Sequence, residues 1–191
     1  MQVPHFARSA ASVALFLAAT FVPAAAQDYE GQIRGLMADP AVQAALDHIE
    51  ATDEQTMADL RTLTEIPAPP FMEEARAARY GELLREAGAD SVWIDEEGNV
   101  LALRRGRQGG RTVALGGHLD TVFPEGTDVA VRVRGDTLYA PGVGDDTRGL
   151  VVVLTVLRAL EEALLDFPGC AVVIWPMSSA AVTSGALVGP S

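Results

Sequence analysis

The sequence lacks several features that would assign it quickly to a broad class of protein. It has one cysteine, Cys170, so no disulfide can form within the chain. Its 14 basic residues are outnumbered by 26 acidic ones, the net charge is −12, and the basic residues are dispersed. Nucleic-acid binding relies on clustered Lys and Arg that neutralise phosphates, so this composition disfavours a nucleic-acid-binding role.

The sequence also has no apolar run long enough to span a membrane, since a membrane-spanning helix needs about 20 apolar residues. The stretch from Ala10 to Val22 is shorter, follows His5 and Arg8, and is followed by Ala24, Ala25 and Ala26. This order is typical of a secretory signal peptide. We therefore expect residues 1–26 to be a signal peptide and the mature protein to be secreted or periplasmic, without stable membrane insertion. An uncleaved anchor is the alternative.

Apolar residues make up 49% of the sequence, which is enough for a packed core. Asp39 followed by Pro40 is a typical helix start, and the helix is predicted to continue to Glu50. Thr52 with Gln55 resembles the capping box of a second helix. A third helix is predicted from 72 to 87. We expect its apolar side to consist of Ala75, Ala78, Tyr80, Leu83 and Leu84.

The pattern then changes to short strands and one long apolar helix. Two hairpins are predicted, Ser91–Asp95 with Asn99–Leu103 and Val129–Arg134 with Thr137–Tyr139. Buried strands are predicted at Thr112–Leu115 and Cys170–Trp175, and an apolar helix at Leu150–Leu165. This alternation predicts an α/β fold, a layered sheet with flanking helices. Residues 176–191 lack charge and period, and we expect a poorly ordered tail.

His118 is the first candidate functional residue. It follows an apolar segment and two glycines, at the strand end where open α/β sheets bind ligands. Asp120, two positions later, lies on the same side of an extended chain and can orient the imidazole by a hydrogen bond. The alternative is a structural histidine beside a turn aspartate.

Asp145 and Asp146 form the second candidate. They follow the glycine-rich turn Pro141–Gly144 and precede the long apolar helix. One acid would suffice to cap that helix, so two acids beside glycines suggest a cation, and a carboxylate there can bridge two metals. A Mg²⁺-dependent phosphohydrolase is a weaker alternative, since no phosphate-binding glycine loop with lysine accompanies the acids.

Together the segments 117–122 and 138–149 resemble the paired motifs of the M20 metallopeptidases, which include glutamate carboxypeptidases, peptidase T and aminoacylases. The resemblance extends from about Ile66 to Trp175. It implies a zinc-exopeptidase-like catalytic domain in which His118 binds zinc and Asp145 bridges two zinc ions. Asp120 would be a catalytic residue that orients His118. The resemblance also implies a cis peptide bond between Asp145 and Asp146, and small peptides or N-acyl amino acids as substrates.

The sequence departs from that family after the strand at 170–175. The family continues with a Glu-Glu pair, general base and zinc ligand, whereas no acidic residue follows Asp166 here. Its later metal ligands and its lid and dimerisation domain are also absent. We therefore expect residues 27–175 to form a partial, truncated catalytic domain with weak or partial zinc binding. The alternative is a catalytically inactive remnant or a non-enzymatic binding module.

Overall fold

The computed structural model describes residues 28–106 and 113–163. In these residues the chain forms five α-helices and two antiparallel hairpins. The helices are α1 Tyr29–Met37, α2 Pro40–Ala51, α3 Asp53–Thr64, α4 Glu74–Glu86 and α5 Arg148–Glu162. The strands are β1 Ser91–Ile94, β2 Val100–Leu103, β3 Arg132–Arg134 and β4 Thr137–Tyr139. The expected mixture of helices and sheet is confirmed.

The junctions between the first helices show one confirmed prediction and one wrong one. Asp39 caps α2 as predicted, because its carboxylate accepts a 2.8 Å hydrogen bond from the N–H of Ala41. Thr52 makes no capping bond to α3. Its N–H and hydroxyl donate to the carbonyl of His48, at 3.0 and 2.7 Å. Thr52 therefore closes α2, and the predicted capping box with Gln55 does not form.

Helix α4 buries a different face from the one predicted. Ala75 and Ala78 are exposed, whereas Arg76 and Ala77 are buried. Alanine is apolar but small, so its position gives little information about which side of a helix faces the core. The larger residues Tyr80, Leu83 and Leu84, by contrast, are buried as predicted.

Both predicted hairpins are present. Strands β1 and β2 pair from Ser91 with Leu103 to Ile94 with Val100, and Gly98 provides the positive φ of 85° in the turn. In the second hairpin β3 is shorter than predicted and begins only at Arg132.

The predicted strand at Thr112–Leu115 is wrong for the residues that can be compared. Residues 113–115 are assigned no strand, and the sheets of the described part of the chain are the hairpins β1–β2 and β3–β4. A strand is assigned only where a neighbouring chain completes its hydrogen bonds. The predicted strand at Cys170–Trp175 lies outside the described residues.

The core lies where α3, α4, β2 and α5 meet. Its fully buried members include Leu63 of α3, Tyr80 of α4, Val100 of β2 and Leu154 of α5. Most of the apolar residues of helix α5 are buried, but Val152 is 46% exposed, so one side of this helix faces solvent. The helix is therefore packed along one face, as in an ordinary α/β layer.

The chain divides into two compact units, Met1–Leu36 and Met37–Ser191. The first contains the predicted signal peptide, residues 1–26, which lies outside the described residues. Residues 164–191, with the predicted tail, also lie outside them. Across 28–106 and 113–163, none of the helices has the length and apolar character needed to cross a membrane.

Candidate metal centre

His118 and Asp145 face each other although 27 positions separate them. His118 lies in the extended segment before the second hairpin, and Asp145 lies in the wide turn Val143–Thr147 that leads into α5. The imidazole Nε2 is 2.9 Å from Oδ1 of Asp145. The fold therefore brings the two predicted metal ligands together, while their role as ligands stays a prediction.

Asp120 holds the other side of the imidazole. His118 Nδ1 lies 3.1 Å from Oδ1 of Asp120 and 3.0 Å from its backbone oxygen. With both acceptors on this side, the proton is placed on Nδ1, which leaves the Nε2 lone pair available for a metal. This is the contact that the two-residue spacing predicted.

Asp146 has a different role from Asp145. Its carboxylate accepts hydrogen bonds from the backbone N–H groups of His118, at 3.2 Å, and of Gly149, at 3.1 Å. The N–H of Gly149 lies at the start of α5, where the helix dipole favours a negative charge. Asp145, by contrast, has a side chain that is 87% exposed. The geometry thus separates the two acids, and the bond between them is cis, as expected.

Two glycines make room for the Asp146 carboxylate. A Cβ added to Gly117 would lie 2.6 Å from Oδ2 of Asp146, and one added to Gly149 would lie equally close to the same oxygen. Non-bonded carbon and oxygen atoms do not approach so closely. Glycine at 117 and 149 is therefore required by the position of this side chain.

The electrostatics of the site favour a positive group beside His118. Burial opposes the charged imidazolium, but the hydrogen bonds to Asp145 and Asp120, with the nearby charges of Asp120 and Asp146, outweigh it. The pKa of His118 is therefore raised above its usual value. A site that stabilises a proton on imidazole through surrounding carboxylates also attracts a cation.

The donor set fits zinc in part. An imidazole nitrogen and a carboxylate oxygen are both zinc ligands, and catalytic zinc has about three protein ligands. Within 28–106 and 113–163 there is no group of three or more His, Cys, Asp or Glu arranged to hold a metal. The described residues therefore contain the two predicted ligands, His118 and Asp145, and the predicted orienting carboxylate, Asp120.

Sequence reasoning missed Arg76. This residue is fully buried on α4, and its guanidinium donates to the carbonyls of Ile66 and Leu119. Leu119 stands between His118 and Asp120, so Arg76 contacts the segment that carries the site. A signal was available, because Arg76 lies one helical turn before Tyr80, on the face that points to the core.

Comparisons with known proteins agree with the paired motifs. The model of peptidase family M20/M25/M40 matches residues 114–177. Carboxypeptidase G2 of Pseudomonas sp. (strain RS-16) is 39% identical over 66 residues, which cover 34% of this chain and 16% of that protein. A putative LysW-lysine/LysW-ornithine hydrolase of Thermococcus kodakarensis is 30% identical over 118 residues, covering 62% and 32%.

A solved structure shows the same fold. Human carnosine dipeptidase 1 superposes with a TM-score of 0.61 at 18% identity, over 72% of this chain and 35% of that one. The chain spans about one third or less of the length of these relatives. The matched region contains both His118 and Asp145. The chain is therefore similar to peptidase family M20/M25/M40 across the segment that carries both motifs, and it shares the fold of the solved dipeptidase structure.

Proposed function

We propose that this chain contributes to the metal site of an amide-hydrolysing M20-type enzyme, and that His118 and Asp145 bind the metal. The observation that carries the proposal is the 2.9 Å approach of His118 Nε2 to Oδ1 of Asp145. Two donors separated by 27 positions converge on one point, with a third group, Asp120, fixing the imidazole from behind.

Zinc is the metal we propose. One nitrogen and one carboxylate oxygen suit zinc better than magnesium or calcium, which prefer oxygen ligands only. The chemistry supplied by zinc at such a site is Lewis acidity toward water and an amide carbonyl. The substrates proposed are small peptides or N-acyl amino acids, in keeping with the carboxypeptidase and dipeptidase names of the relatives.

The residues of the chain itself perform three tasks in this proposal. Asp120 keeps the proton on Nδ1 of His118, so that Nε2 can donate its lone pair. Asp145 supplies an exposed carboxylate that can turn toward the metal without a desolvation cost. Asp146 holds the backbone N–H of His118 and thereby ties the two ligand-bearing segments to each other.

Metal binding by the purified full chain is the first test. Calorimetric titration with Zn²⁺ is expected to show binding that is weakened strongly in both His118→Ala and Asp145→Ala. His48→Ala is the matched control, because His48 lies on α2 and has no part in the site. Equal zinc affinity in all four proteins would contradict the proposal.

Hydrolysis is tested separately on a panel of dipeptides and N-acyl amino acids. We expect zinc binding without turnover, because the resemblance assigns the general base to a Glu pair with no counterpart after Asp166. Turnover that disappears in His118→Ala would show instead that the site is complete. In that case the proposal that this chain is a partial, inactive member would be wrong.

We also propose export. Residues 1–26 have the order of a signal peptide, and N-terminal sequencing of protein recovered from the periplasm or medium is expected to begin at Gln27. A mature chain that still begins with Met1 would contradict cleavage.

A further inference from the structure

Arg76 is a cation that lies in the core of the described residues. Its side chain is fully buried, and within the described part of the chain no carboxylate lies at salt-bridge distance from it. Burying an unpaired charge is unfavourable unless hydrogen bonds compensate. A buried charge in the core of a small domain therefore indicates that Arg76 does more than fill space, since an apolar side chain would do that at lower cost.

The hydrogen bonds of Arg76 all go to backbone carbonyls. Nε and one terminal nitrogen donate to the carbonyl of Ile66, at 3.1 and 2.7 Å. The other terminal nitrogen donates to the carbonyl of Leu119, at 2.7 Å. The planar guanidinium thus connects the loop after α3 with the residue between His118 and Asp120, which a single ammonium could not do with the same geometry.

A second contact joins the same two segments. Thr121 donates to the carbonyl of Ala68 through its N–H, at 2.8 Å, and through its hydroxyl, at 3.2 Å. The contacts of Arg76 and Thr121 therefore hold the residues on either side of Asp120 against the loop after α3, while Asp146 holds the N–H of His118 from the side of α5.

The charge of Arg76 also acts on the site. Burial lowers the pKa of Arg76 to about 10, and the nearby carboxylates of Asp120 and Glu73 oppose that shift. The guanidinium is thus charged at neutral pH. A positive charge therefore lies near the carboxylate that orients His118.

We propose that Arg76 is a positioning residue, which sets the orientation of His118 and Asp120 by holding the carbonyl of Leu119. For its effect on zinc this inference rests on the proposed function of the site. It adds a residue on α4, outside both motifs, to the groups on which the metal centre depends.

The test uses the full chain with Arg76→Met and Arg76→Lys. Arg85→Met is the matched control, because Arg85 is an exposed arginine on the same helix that donates to the carbonyl of Val92. Heteronuclear NMR without metal reads the imidazole nitrogens of His118 and the amides of 118–120. We expect Arg76→Met to shift these signals, Arg76→Lys to shift them less, and Arg85→Met to leave them unchanged.

Zinc titration provides the second readout. Loss of a group that orients a metal ligand lowers affinity by roughly 10- to 100-fold, and we expect this for Arg76→Met, with partial recovery in Arg76→Lys. A lower melting temperature with unchanged His118 signals and unchanged affinity would show a merely structural role and overturn the inference. If Arg76→Met does not fold, the folded Arg76→Lys variant decides the question. Unchanged His118 signals and unchanged zinc affinity in that variant would also overturn the inference.

The two proposals fail in different ways. Wild-type protein that binds no zinc refutes the proposed metal site, whereas the metal-free NMR comparison still decides the role of Arg76. Zinc binding that depends on His118 but not on Arg76 refutes the positioning role alone.

Discussion

The carboxylate of Asp146 accepts a hydrogen bond from the backbone N–H of His118, 28 positions earlier in the chain, at 3.2 Å. Its second oxygen accepts from the N–H of Gly149 in the first turn of α5. One side chain therefore joins the segment that carries the imidazole to the helix that follows Asp145.

Gly149→Ala is expected to displace the Asp146 carboxylate, because the new Cβ would overlap it. Overpacking of this kind costs about 1–3 kcal/mol, which denaturant unfolding can measure. Gly144→Ala, in the turn that precedes α5, is the control, since a Cβ there meets nothing within 4 Å. Equal stability of the two variants would show that Asp146 is not confined as described.

Asp120→Ala is expected to reduce zinc affinity by roughly 10- to 100-fold, the usual effect of losing a carboxylate that orients a ligating histidine. The physical reason is that the proton is no longer held on Nδ1 of His118. Calorimetric titration measures the change. Asp128→Ala, which removes an exposed carboxylate, should bind zinc like the wild type. A similar loss of affinity in both variants would show that the change in net charge, and not the orientation of His118, is the cause.

Asp59→Ala is expected to destabilise the fold by about 3–5 kcal/mol, because it leaves Arg158 with an unpaired, mostly buried charge. The ion pair is 2.5 Å long, and its side chains are only 4% and 18% exposed. Asp128→Ala, which breaks an exposed pair with Arg132, should cost about 1 kcal/mol or less.

A double variant separates the loss of the ion pair from the cost of leaving one buried charge unpaired. Replacing Asp59 and Arg158 together by leucine should be less destabilising than Asp59→Ala alone, since no buried charge then remains. Denaturant titrations of the variants measure the difference. A double variant that is less stable than the single one would contradict this explanation.

Tyr80→Phe is expected to lower the free energy of unfolding by about 1 kcal/mol at neutral pH. It removes the buried hydroxyl that donates to the carbonyl of Leu150 at 2.9 Å. Tyr139→Phe, on an exposed strand, is the control and should be neutral.

The same residue predicts a dependence on alkaline pH. Burial, assisted by the charge of Asp146, raises the pKa of Tyr80 well above its usual value of 10.0. Because the unfolded chain ionises first, the stability that Tyr80 contributes is present below pH 10.0 and is lost as the pH rises above it. No lysine titrates in this range. The difference in stability between wild type and Tyr80→Phe should therefore shrink, or reverse, in alkaline denaturation experiments.

Much of the local structure was predictable because its causes lie within a few residues. The Asp39 cap, the start at Pro40 and the turn at Gly98 depend on backbone geometry that those residue types favour. The two motifs likewise identified the family and placed His118 two residues before its orienting carboxylate. The capping box at Thr52 failed because this side chain is turned back to the preceding helix, where its hydroxyl donates to the carbonyl of His48.

The sequence by itself thus determined which local elements form and which side chains offer chemistry, since both follow from residue type and short spacing. The resemblance had already assigned the ligand role to Asp145 rather than Asp146. Only the tertiary structure decided that Asp145 lies against the imidazole, that Asp146 holds the N–H of His118, and that Arg76 is buried against Leu119. These relationships join residues 27, 28 and 43 positions apart. They depend on how the helices and loops pack, because burial and proximity are properties of the folded chain as a whole.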